Sequence, residues 1–401
     1  MNIVLFTHPT FLNSQSMPRF ASMLRQAYIE KGHEVEVWAP LPKLYSLLTN
    51  PGLSKWLGYI DQYIIFPFWV RKQLKTKPAN TLYVFCDQAL GPWVPLVKNK
   101  PHIVHVHDLL ALRSALGDIK ENPTSLSGQI YQRYIRHGFR QAKRFISVSN
   151  KTRQDLHSFG QVSAANSDVV YNGLNYPFSP LSSIDAIRIL NDAGLHAPDN
   201  GMLLHLGGNQ WYKNLSGVIK LYIEYAKVVE NPLPLWCISP RANPKIQQML
   251  NEIPPKGEVI FFQGIDNQAL QAAYSLARVF IFPSLAEGFG WPIIEAQACG
   301  CPVITTDAAP MNEIGGSACA YIPILESPKD IESWSKNAAN NLISLLSMNE
   351  NQRLQLSSKG LMHVQRFNAE KAIENYLKFY EAALIEAGFS QQAFSEKRKK
   401  S

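Results

Sequence analysis

The sequence predicts an α/β protein made of two Rossmann-like, doubly wound domains, and three observations lead to this prediction. Short apolar runs alternate with longer helix-like segments along the whole chain, which is the pattern of βαβ units around parallel sheets. The chain has 401 residues, 46% hydrophobic and 17% charged, so it can bury a large core and exceeds the usual size of one domain. Residues 176–183 are rich in turn and breaker residues, and we take them as the connection between the domains.

The individual elements follow from the periodicity of apolar residues. In the first half we predict strands at residues 2–7, 34–39, 81–85, 103–107 and 145–148. Helices are predicted there over residues 20–31 and 130–143. In the second half we predict strands at residues 202–206, 235–238, 259–262, 279–282 and 303–305, with helices between them. A last helix is predicted over residues 369–387, and the basic residues 397–401 are interpreted as a solvated terminus.

Composition and charge restrict the function. The formal charge of +8 and the pI near 9.1 favour anionic partners, but we find no RNP aromatic pattern, zinc finger or basic heptad helix, so nucleic-acid binding is not predicted. The five cysteines are odd in number and lie mostly in apolar runs, which favours a reducing cytoplasm over a disulfide framework. We recognise no secretory signal and no apolar stretch of bilayer-spanning length, so we expect a soluble or peripheral protein.

The most informative segment spans residues 282–304, where the pattern predicts strand, loop, helix and strand. Gly288 and Gly290 allow backbone amides to approach a ligand closely, and a helix N-terminus reached through such a loop favours phosphate or sugar oxygens. Glu287 in the loop and Glu295 in the helix supply carboxylates that suit sugar hydroxyls. The structural alternative is that both glutamates only favour the positive end of the helix while the glycines only make the turn.

This segment resembles the E-x7-E signature region of the retaining GT-B glycosyltransferases of family four, and the likeness extends over most of the chain. Further residues placed as that family places them are Gly264, Leu270, Tyr274, Ala277, Pro283, Ser284 and residues 299–304. The resemblance implies that Glu287 holds hydroxyls of the donor sugar and that Glu295 holds the nucleotide ribose. It also implies that the amides of Gly288, Phe289 and Gly290 lie beside the sugar and the pyrophosphate.

A second match is a strand, glycine loop and helix start over residues 206–215, which include Gly207, Gly208, Asn209 and Lys213. A lysine at the helix start can neutralise a diphosphate whose charge grows as the sugar leaves. The resembling family uses a lysine followed by an asparagine for this purpose, with an arginine earlier in the loop, where this chain has Gly208. Arg241, after the following strand, is our candidate for that missing cation. The structural alternative for Lys213 is a solvated lysine in the first helical turn.

His107 and Asp108 end a predicted strand of the first half, at the edge where open α/β sheets bind ligands. The family has a histidine at this place that meets the donor sugar, and the resemblance implies the same role for His107. The alternatives are an ordinary hydrogen-bonded histidine or a metal ligand paired with His105, for which we find no third ligand at suitable spacing. Because we find no Asp-x-Asp and no phosphate-loop motif, we predict neither a metal nor another cofactor.

The acceptor side is the least transferable part of the resemblance. The loop at residues 7–16 borders the acceptor in that family, but here it lacks the glycines that the family often has. Residues 55–77 interleave aromatic and cationic side chains, which suits a membrane interface or a lipid-linked acceptor. The structural alternative is a set of aromatic core contacts flanked by a solvated basic turn.

With the resemblance, the sequence implies a GT-B architecture in which two doubly wound domains face each other across a cleft. Residues 1–176 would form the acceptor-side domain and residues 177–368 the nucleotide-sugar domain. Residues 369–401 would contribute a helix that returns to the first domain, followed by the tail.

The implied activity is transfer of a sugar from a nucleoside diphosphate sugar to a glycan or lipid-linked acceptor, with retention of configuration and no required metal. Lys213 and the loop amides would stabilise the leaving group without a covalent intermediate. The expected location is the cytoplasm or the inner membrane face. The alternatives are a catalytically silent nucleotide-sugar-binding protein, and an epimerase or phosphorylase on the same fold.

Overall fold

The computed structural model describes residues 1–12, 16–47 and 51–389, which form two compact units. The first unit comprises Met1–Tyr171 together with the C-terminal segment from Ala369, and the second comprises Asn172–Asn368. The basic tail at residues 397–401 and residues 13–15 of the first loop lie outside the described residues.

The first unit contains a six-stranded parallel sheet of order β2-β1-β3-β4-β5-β6. Its strands are β1 (Asn2–Phe6), β2 (Glu34–Trp38), β3 (Thr81–Phe85), β4 (His102–Val106), β5 (Phe145–Ser147) and β6 (Ser167–Val169). Its first six helices are α1 (Ser16–Glu30), α2 (Pro51–Ile60), α3 (Phe66–Gln73), α4 (Leu110–Ala115), α5 (Leu126–Phe139) and α6 (Asn150–Ser158). A π-helical turn, Asp61–Ile65, joins α2 to α3, and 3-10 turns lie at Thr10–Leu12, Tyr45–Leu47, Gln88–Val97 and Ala164–Asn166.

The second unit contains another six-stranded parallel sheet, of order β12-β11-β10-β7-β8-β9. Its strands are β7 (Met202–Leu206), β8 (Leu235–Ile238), β9 (Val259–Phe262), β10 (Ala277–Phe282), β11 (Val303–Thr306) and β12 (Ala320–Ile322). Its helices are α7 (Ser183–Asp192), α8 (Leu215–Val228), α9 (Pro244–Leu250), α10 (Asn267–Leu276), α11 (Trp291–Ala298), α12 (Met311–Gly315), α13 (Ile331–Leu346) and α14 (Glu350–Val364). Its 3-10 turns are Trp211–Lys213, Gly316–Ala318, Pro328–Asp330 and Gln365–Phe367.

The C-terminal helix α15 (Ala369–Glu386) is part of the first unit. Side chains alternate across β1, so Ile3 and Leu5 pack in one core cluster with α1 and α15, whereas Val4 and Phe6 pack in a second cluster on the opposite face. Tyr380 of α15 is fully buried, accepts a hydrogen bond from Tyr28 Oη at 3.0 Å and lies 2.7 Å from His105 Nε2. Helix α15 therefore covers one face of the first sheet.

All ten strands predicted from the sequence are present, and the α/β prediction of two doubly wound domains is confirmed. The helix predicted over residues 130–143 was placed too late along the chain, because the structure begins it at Leu126 and ends it at Phe139. The physical reason is the N-cap, where Ser125 Oγ accepts a hydrogen bond from the Gly128 amide at 3.3 Å. Two short strands, β6 and β12, were missed.

The turn-rich residues 176–183 lie within the second unit. Phe178 is buried, with its ring centroid 6.0 Å from that of Tyr274, and Ser179 accepts a hydrogen bond at its carbonyl from Gln271 Nε2 at 2.8 Å. These contacts tie the stretch to α10, and the division between the units falls at Tyr171 and Asn172.

All five cysteines are free thiols, and four of them are buried. None of the helices in the described part of the chain combines the length and the apolar character needed to cross a bilayer.

Candidate active site

The second sheet reverses its winding between β7 and β10. The chain adds β8 and β9 on one side of β7 and then returns to place β10 on the other side. The loops that leave two such neighbouring strands diverge, and ligands of doubly wound proteins bind in the crevice outside the carboxyl ends of the strands at this point. Residues 207–213 follow β7 and residues 283–290 follow β10, so both segments singled out from the sequence lie here.

Backbone and side-chain hydrogen bonds join these two loops. The Leu285 amide donates to the Tyr212 carbonyl at 2.8 Å, and Asn214 Nδ2 donates to the Pro283 carbonyl at 3.0 Å. Asn214 has a left-handed backbone (φ 53°), and its Oδ1 accepts from the Gly217 amide at 3.1 Å, which caps α8. The position of Lys213, directly before Asn214, is therefore fixed from both sides.

Lys213 and Glu287 form an ion pair across the two loops. Lys213 Nζ lies 2.7 Å from Glu287 Oε1, which also accepts a hydrogen bond from Ser284 Oγ at 2.8 Å. The side chains are 17% and 9% exposed, and Nζ lies 4.9 Å from the centroid of the Phe282 ring. A cation and a carboxylate therefore stand side by side where water is largely excluded, so each acts more strongly on a bound charge or dipole than it would at the surface.

Glu295 lies in the helix that begins after the second loop. Gly290, with φ +100°, precedes α11, and the Glu295 side chain is buried. Burial raises the pKa of this carboxyl from 4.5 to about 7, although the hydrogen bond from Tyr274 Oη at 3.3 Å and the charge of Lys213 act to lower it. Near neutral pH the carboxyl can thus accept or donate a hydrogen bond.

Residues of the glycine loop after β7 also make contacts that stabilise the fold. The Gly207 amide donates to the Ile238 carbonyl at 3.2 Å, so that amide is already engaged. A Cβ at Gly207 would lie 2.9 Å from His205 Nε2, which explains why the position needs glycine. Asn209 Nδ2 donates to the carbonyl of Arg241 at 3.3 Å, which places the β8 loop next to the glycine loop, and the Arg241 residue is exposed.

The aromatic residue of the second loop is packed inward. Phe289 is buried, and its ring centroid lies 5.8 Å from that of Trp291 and 5.7 Å from that of Phe367. Trp291 Nε1 donates to the Gly173 carbonyl at 2.9 Å. These contacts hold the backbone of residues 288–290 in place at the start of α11.

In the first unit, His107 directly follows β4 and is buried. Its Nε2 donates to the Cys86 carbonyl at 3.0 Å, and its amide donates to Gln88 Oε1 at 3.0 Å. Burial lowers the pKa of His107, although the charge of Asp87 and the Cys86 contact oppose this effect. The neutral ring that results presents Nδ1 as a hydrogen-bond acceptor.

A polar pair that sequence motifs did not reveal lies at the same edge of the first sheet. His8 Nε2 donates to Asp87 Oδ2 at 2.7 Å, and the two side chains are 17% and 11% exposed. Burial alone would raise the pKa of Asp87, but the hydrogen bond and charge of His8 and the charge of His107 lower it. Inspection of the residues that follow each strand, rather than of motifs, is the signal that could have identified this pair.

Within residues 1–12, 16–47 and 51–389, no three His, Cys, Asp or Glu side chains lie close enough together to hold a metal ion.

Solved structures share this fold along nearly the whole chain. Sucrose-phosphate synthase from Thermosynechococcus elongatus has a TM-score of 0.70 at 18% identity, with 96% of this chain and 100% of that chain covered. A glycosyltransferase from Rickettsia africae has a TM-score of 0.67 at 13% identity, covering 96% and 98%. Anabaena HepE, solved with UDP and glucose, has a TM-score of 0.66 at 15% identity, covering 95% and 99%. The fold that these structures and this chain share is the GT-B fold.

Family models and curated relatives agree with the fold. The model described as Glycosyltransferase Family 4 matches residues 17–176, and the model described as Glycosyl transferases group 1 matches residues 202–344. O-antigen chain mannosyltransferase RfbU of Salmonella typhimurium is 23% identical over 80% of this chain and 80% of its own length. O-antigen chain mannosyltransferase B of Escherichia coli is 22% identical over 60% of each. Two glycosyltransferase models thus match the chain, over residues 17–176 and 202–344, and the protein is a glycosyltransferase.

Proposed function

We propose that this enzyme transfers a mannosyl group from a nucleoside diphosphate sugar to a glycan or lipid-linked glycan, with retention of configuration and without a required metal. The observation that carries the proposal is the Lys213–Glu287 ion pair at the β7/β10 switch point, with a separation of 2.7 Å. One member suits an anionic leaving group and the other suits sugar hydroxyls.

The roles follow from the chemistry of each group. As the bond from the sugar to the diphosphate breaks, negative charge grows on the diphosphate, and the nearby Lys213 ammonium stabilises that charge. Glu287 accepts hydrogen bonds from sugar hydroxyls, and Glu295 does the same for the ribose. Donor binding thus replaces the Lys213–Glu287 ion pair by two new interactions. Lys213 pairs with the diphosphate, and Glu287 accepts hydrogen bonds from the sugar hydroxyls.

Further contacts are assigned by the resemblance. The backbone of residues 208–209 and 288–290 borders the diphosphate and the sugar, and His107 contacts the sugar through the acceptor nitrogen Nδ1. The exposed Arg241 is the candidate second cation for the diphosphate, because its loop is hydrogen-bonded to Asn209.

The sugar and its configuration rest on similarity. The two relatives described above carry the name O-antigen chain mannosyltransferase, which supports mannose as the transferred sugar and a polysaccharide as the product class. The structure of HepE with UDP and glucose supports a nucleotide-linked donor. The resemblance of the Glu287 and Glu295 region to the retaining family supports retention.

A donor panel tests the proposal. Thermal shifts are measured with GDP-mannose, UDP-glucose and the free nucleoside diphosphates, because specific binding stabilises the fold in proportion to RT ln(1 + [L]/Kd). Transfer to a mannose-terminated oligosaccharide, free or linked to polyprenyl diphosphate, is then followed by NMR of the anomeric proton. We expect GDP-mannose to be transferred to an α-linked product. Isomerisation of the nucleotide sugar without transfer would support the epimerase, and a β-linked product would contradict retention.

We also propose that the first unit contacts a membrane surface through an aromatic and basic face on α2 and α3. Trp56 and Phe68 are 68% and 67% exposed, and the Arg71 guanidinium lies 5.7 Å from the Phe68 ring centroid. The segment is held in place on its buried side, because the Asp61 carboxylate accepts hydrogen bonds from the backbone amides of Leu44 and Tyr45 at 3.0 and 2.9 Å. Exposed aromatic rings flanked by cations suit the interface of an anionic bilayer.

Helix α5 adjoins this segment through aromatic contacts that run from Trp56 to Tyr59, Tyr63 and Tyr131. Tyr63 and Tyr131 share a hydrogen bond of 2.6 Å between their hydroxyls, and Ile130 is 59% exposed. Such a surface would hold the enzyme next to a lipid-linked acceptor at the inner membrane face.

Vesicle sedimentation tests this contact. The double variant Trp56→Ser with Phe68→Ser should lose binding to vesicles that contain phosphatidylglycerol, and wild-type binding should weaken with salt. The control variant carries Leu354→Ser and Met362→Ser, which remove side chains of the second unit that are 57% and 68% exposed. Equal sedimentation of wild type and the aromatic variant would refute the membrane contact.

A further inference from the structure

The two oxygens of the Glu287 carboxylate have different surroundings. Oε1 accepts hydrogen bonds from Lys213 Nζ at 2.7 Å and from Ser284 Oγ at 2.8 Å. Among the residues that the structure describes, no group donates a hydrogen bond to Oε2. Because an ionised carboxylate can accept at both oxygens, Oε2 is the oxygen that can accept from a ligand.

The backbone around Ser284 is fixed by two neighbouring elements. Ser284 is completely buried and lies two residues after the end of β10. Its carbonyl accepts a hydrogen bond from Thr306 Oγ1 at 2.8 Å, and Thr306 is the last residue of β11. The preceding carbonyl, of Pro283, accepts from Asn214 Nδ2 at 3.0 Å. The Ser284 hydroxyl therefore approaches Glu287 from a fixed direction.

The two groups that donate to Oε1 respond differently to a diphosphate. Lys213 carries a charge on a long, flexible side chain, so an arriving diphosphate attracts it away from Glu287. The Ser284 hydroxyl is uncharged and completely buried, so it stays with the carboxylate. The last torsion of a glutamate side chain is broad and roughly two-fold, and a carboxylate without a protein donor can turn about it. Ser284 thus keeps Oε1 inward after Lys213 has left.

We propose that Ser284 is a positioning residue that fixes the Glu287 carboxylate in the donor-bound enzyme, so that Oε2 accepts the hydroxyls of the donor sugar. Ser284 acts through Glu287 and does not itself contact the donor. This inference rests on the proposed glycosyl transfer and adds to it the residue that decides which carboxylate oxygen faces the sugar.

The test separates binding of the sugar from binding of the diphosphate in the full chain. Isothermal titration compares wild type with Ser284→Ala, using the nucleotide sugar that the donor panel selects, GDP-mannose on the proposed function, and the corresponding nucleoside diphosphate. We expect Ser284→Ala to lower the affinity for the nucleotide sugar about tenfold, because a hydrogen bond to a charged group is lost. The affinity for the nucleoside diphosphate should stay within about twofold of wild type.

A double variant tests whether Ser284 acts through the carboxylate. In Glu287→Gln, the Ser284 hydroxyl keeps the amide oxygen at the Oε1 position, so the amide nitrogen, which donates instead of accepting, faces the sugar. Removal of that hydroxyl allows the amide to turn. Ser284→Ala combined with Glu287→Gln should therefore bind the nucleotide sugar within about threefold of Glu287→Gln alone. Additive losses would overturn the inference, because they would show that Ser284 acts independently of Glu287.

The matched control is Ser335→Ala, which removes another completely buried serine of the second unit, whose hydroxyl donates to the Glu332 carbonyl at 3.2 Å. That variant should bind both ligands as wild type does. Unchanged affinity of Ser284→Ala for the nucleotide sugar would also overturn the inference. Equal losses for nucleotide sugar and diphosphate would do the same, because they would assign Ser284 to the fold of the loop. Failure of the proposed function would appear separately, as a wild type that transfers no nucleotide sugar although it binds one.

Discussion

Replacement of Glu287 by Gln should weaken binding of the intact donor far more than binding of the free nucleoside diphosphate. The glutamine keeps the shape of the side chain and an oxygen that can still accept from Ser284 Oγ, now 2.8 Å from Glu287 Oε1. It loses the charge that strengthens hydrogen bonds from sugar hydroxyls. A hydrogen bond to a charged group contributes about 1.5–3 kcal/mol, so we expect donor affinity to fall about tenfold to a hundredfold.

The free diphosphate should behave differently, since it carries no sugar hydroxyls. Lys213 is 17% exposed and loses only its 2.7 Å partner, so it becomes more available to the diphosphate. Affinity for the nucleoside diphosphate should therefore stay within about threefold of wild type or rise, a change of less than about 1 kcal/mol.

Isothermal titration with donor and with nucleoside diphosphate measures both quantities. The matched control is Glu224→Gln, because the Glu224 side chain is also 9% exposed and pairs with a lysine, Lys227, at 2.6 Å. That variant should bind both ligands as wild type does. Equal losses of affinity for donor and diphosphate in Glu287→Gln would refute the sugar-binding role of Glu287.

Three further predictions concern the same site. Lys213→Ala should lower turnover by about tenfold to a thousandfold, because it removes a cation near the leaving group. The control variant Lys227→Ala should keep the turnover of wild type. Unchanged kinetics of Lys213→Ala at limiting donor would show that Lys213 is not part of the site. Glu295 has a pKa raised to about 7, so the folded state keeps a proton that the unfolded state loses above 4.5, and stability is lost as the pH rises through this window. Relative to Glu295→Gln, the free energy of unfolding of wild type should fall by about 3 kcal/mol from pH 4.5 to 7 in urea titrations, and parallel curves would contradict the shift. Transfer should persist in EDTA, and its abolition with recovery on adding a divalent ion would refute the metal-free mechanism.

Long apolar strands could be predicted from the sequence because burial on both faces of a parallel sheet produces near-continuous apolar runs. Strand β3 (Thr81–Phe85) is buried at every position and was predicted with its observed bounds. The edge strands β6 (Ser167–Val169) and β12 (Ala320–Ile322) have three residues each and are partly exposed, so they carry neither a long apolar run nor a clear alternation. Their pairing depends on neighbours that local sequence does not specify.

The candidate site residues of the second unit could be located from the sequence because they lie in two loops with recognisable patterns. The pairing between Lys213 and Glu287 could not be predicted, because the two residues are far apart in the chain and meet only where β7 and β10 are neighbours. The engagement of the Gly207 amide by Ile238 depends in the same way on the β7–β8 pairing. His8 and Asp87 belong to no motif, and only strand order brings them together.

The Lys213–Glu287 ion pair bears on how the diphosphate product leaves. The two side chains compensate each other's charge in a largely buried position. With the donor bound, the proposed roles give Lys213 to the diphosphate and Glu287 to the sugar hydroxyls, so both charges are again compensated. After transfer the diphosphate still occupies Lys213, but the sugar has moved to the acceptor, and Glu287 is left with Ser284 as its hydrogen-bond donor. A buried carboxylate with fewer partners is unfavourable. Glu287 therefore competes with the diphosphate for the Lys213 ammonium, and this competition favours release of the diphosphate. On this argument Glu287→Gln should slow nucleoside diphosphate dissociation, which stopped-flow displacement can measure, and a faster dissociation would refute it.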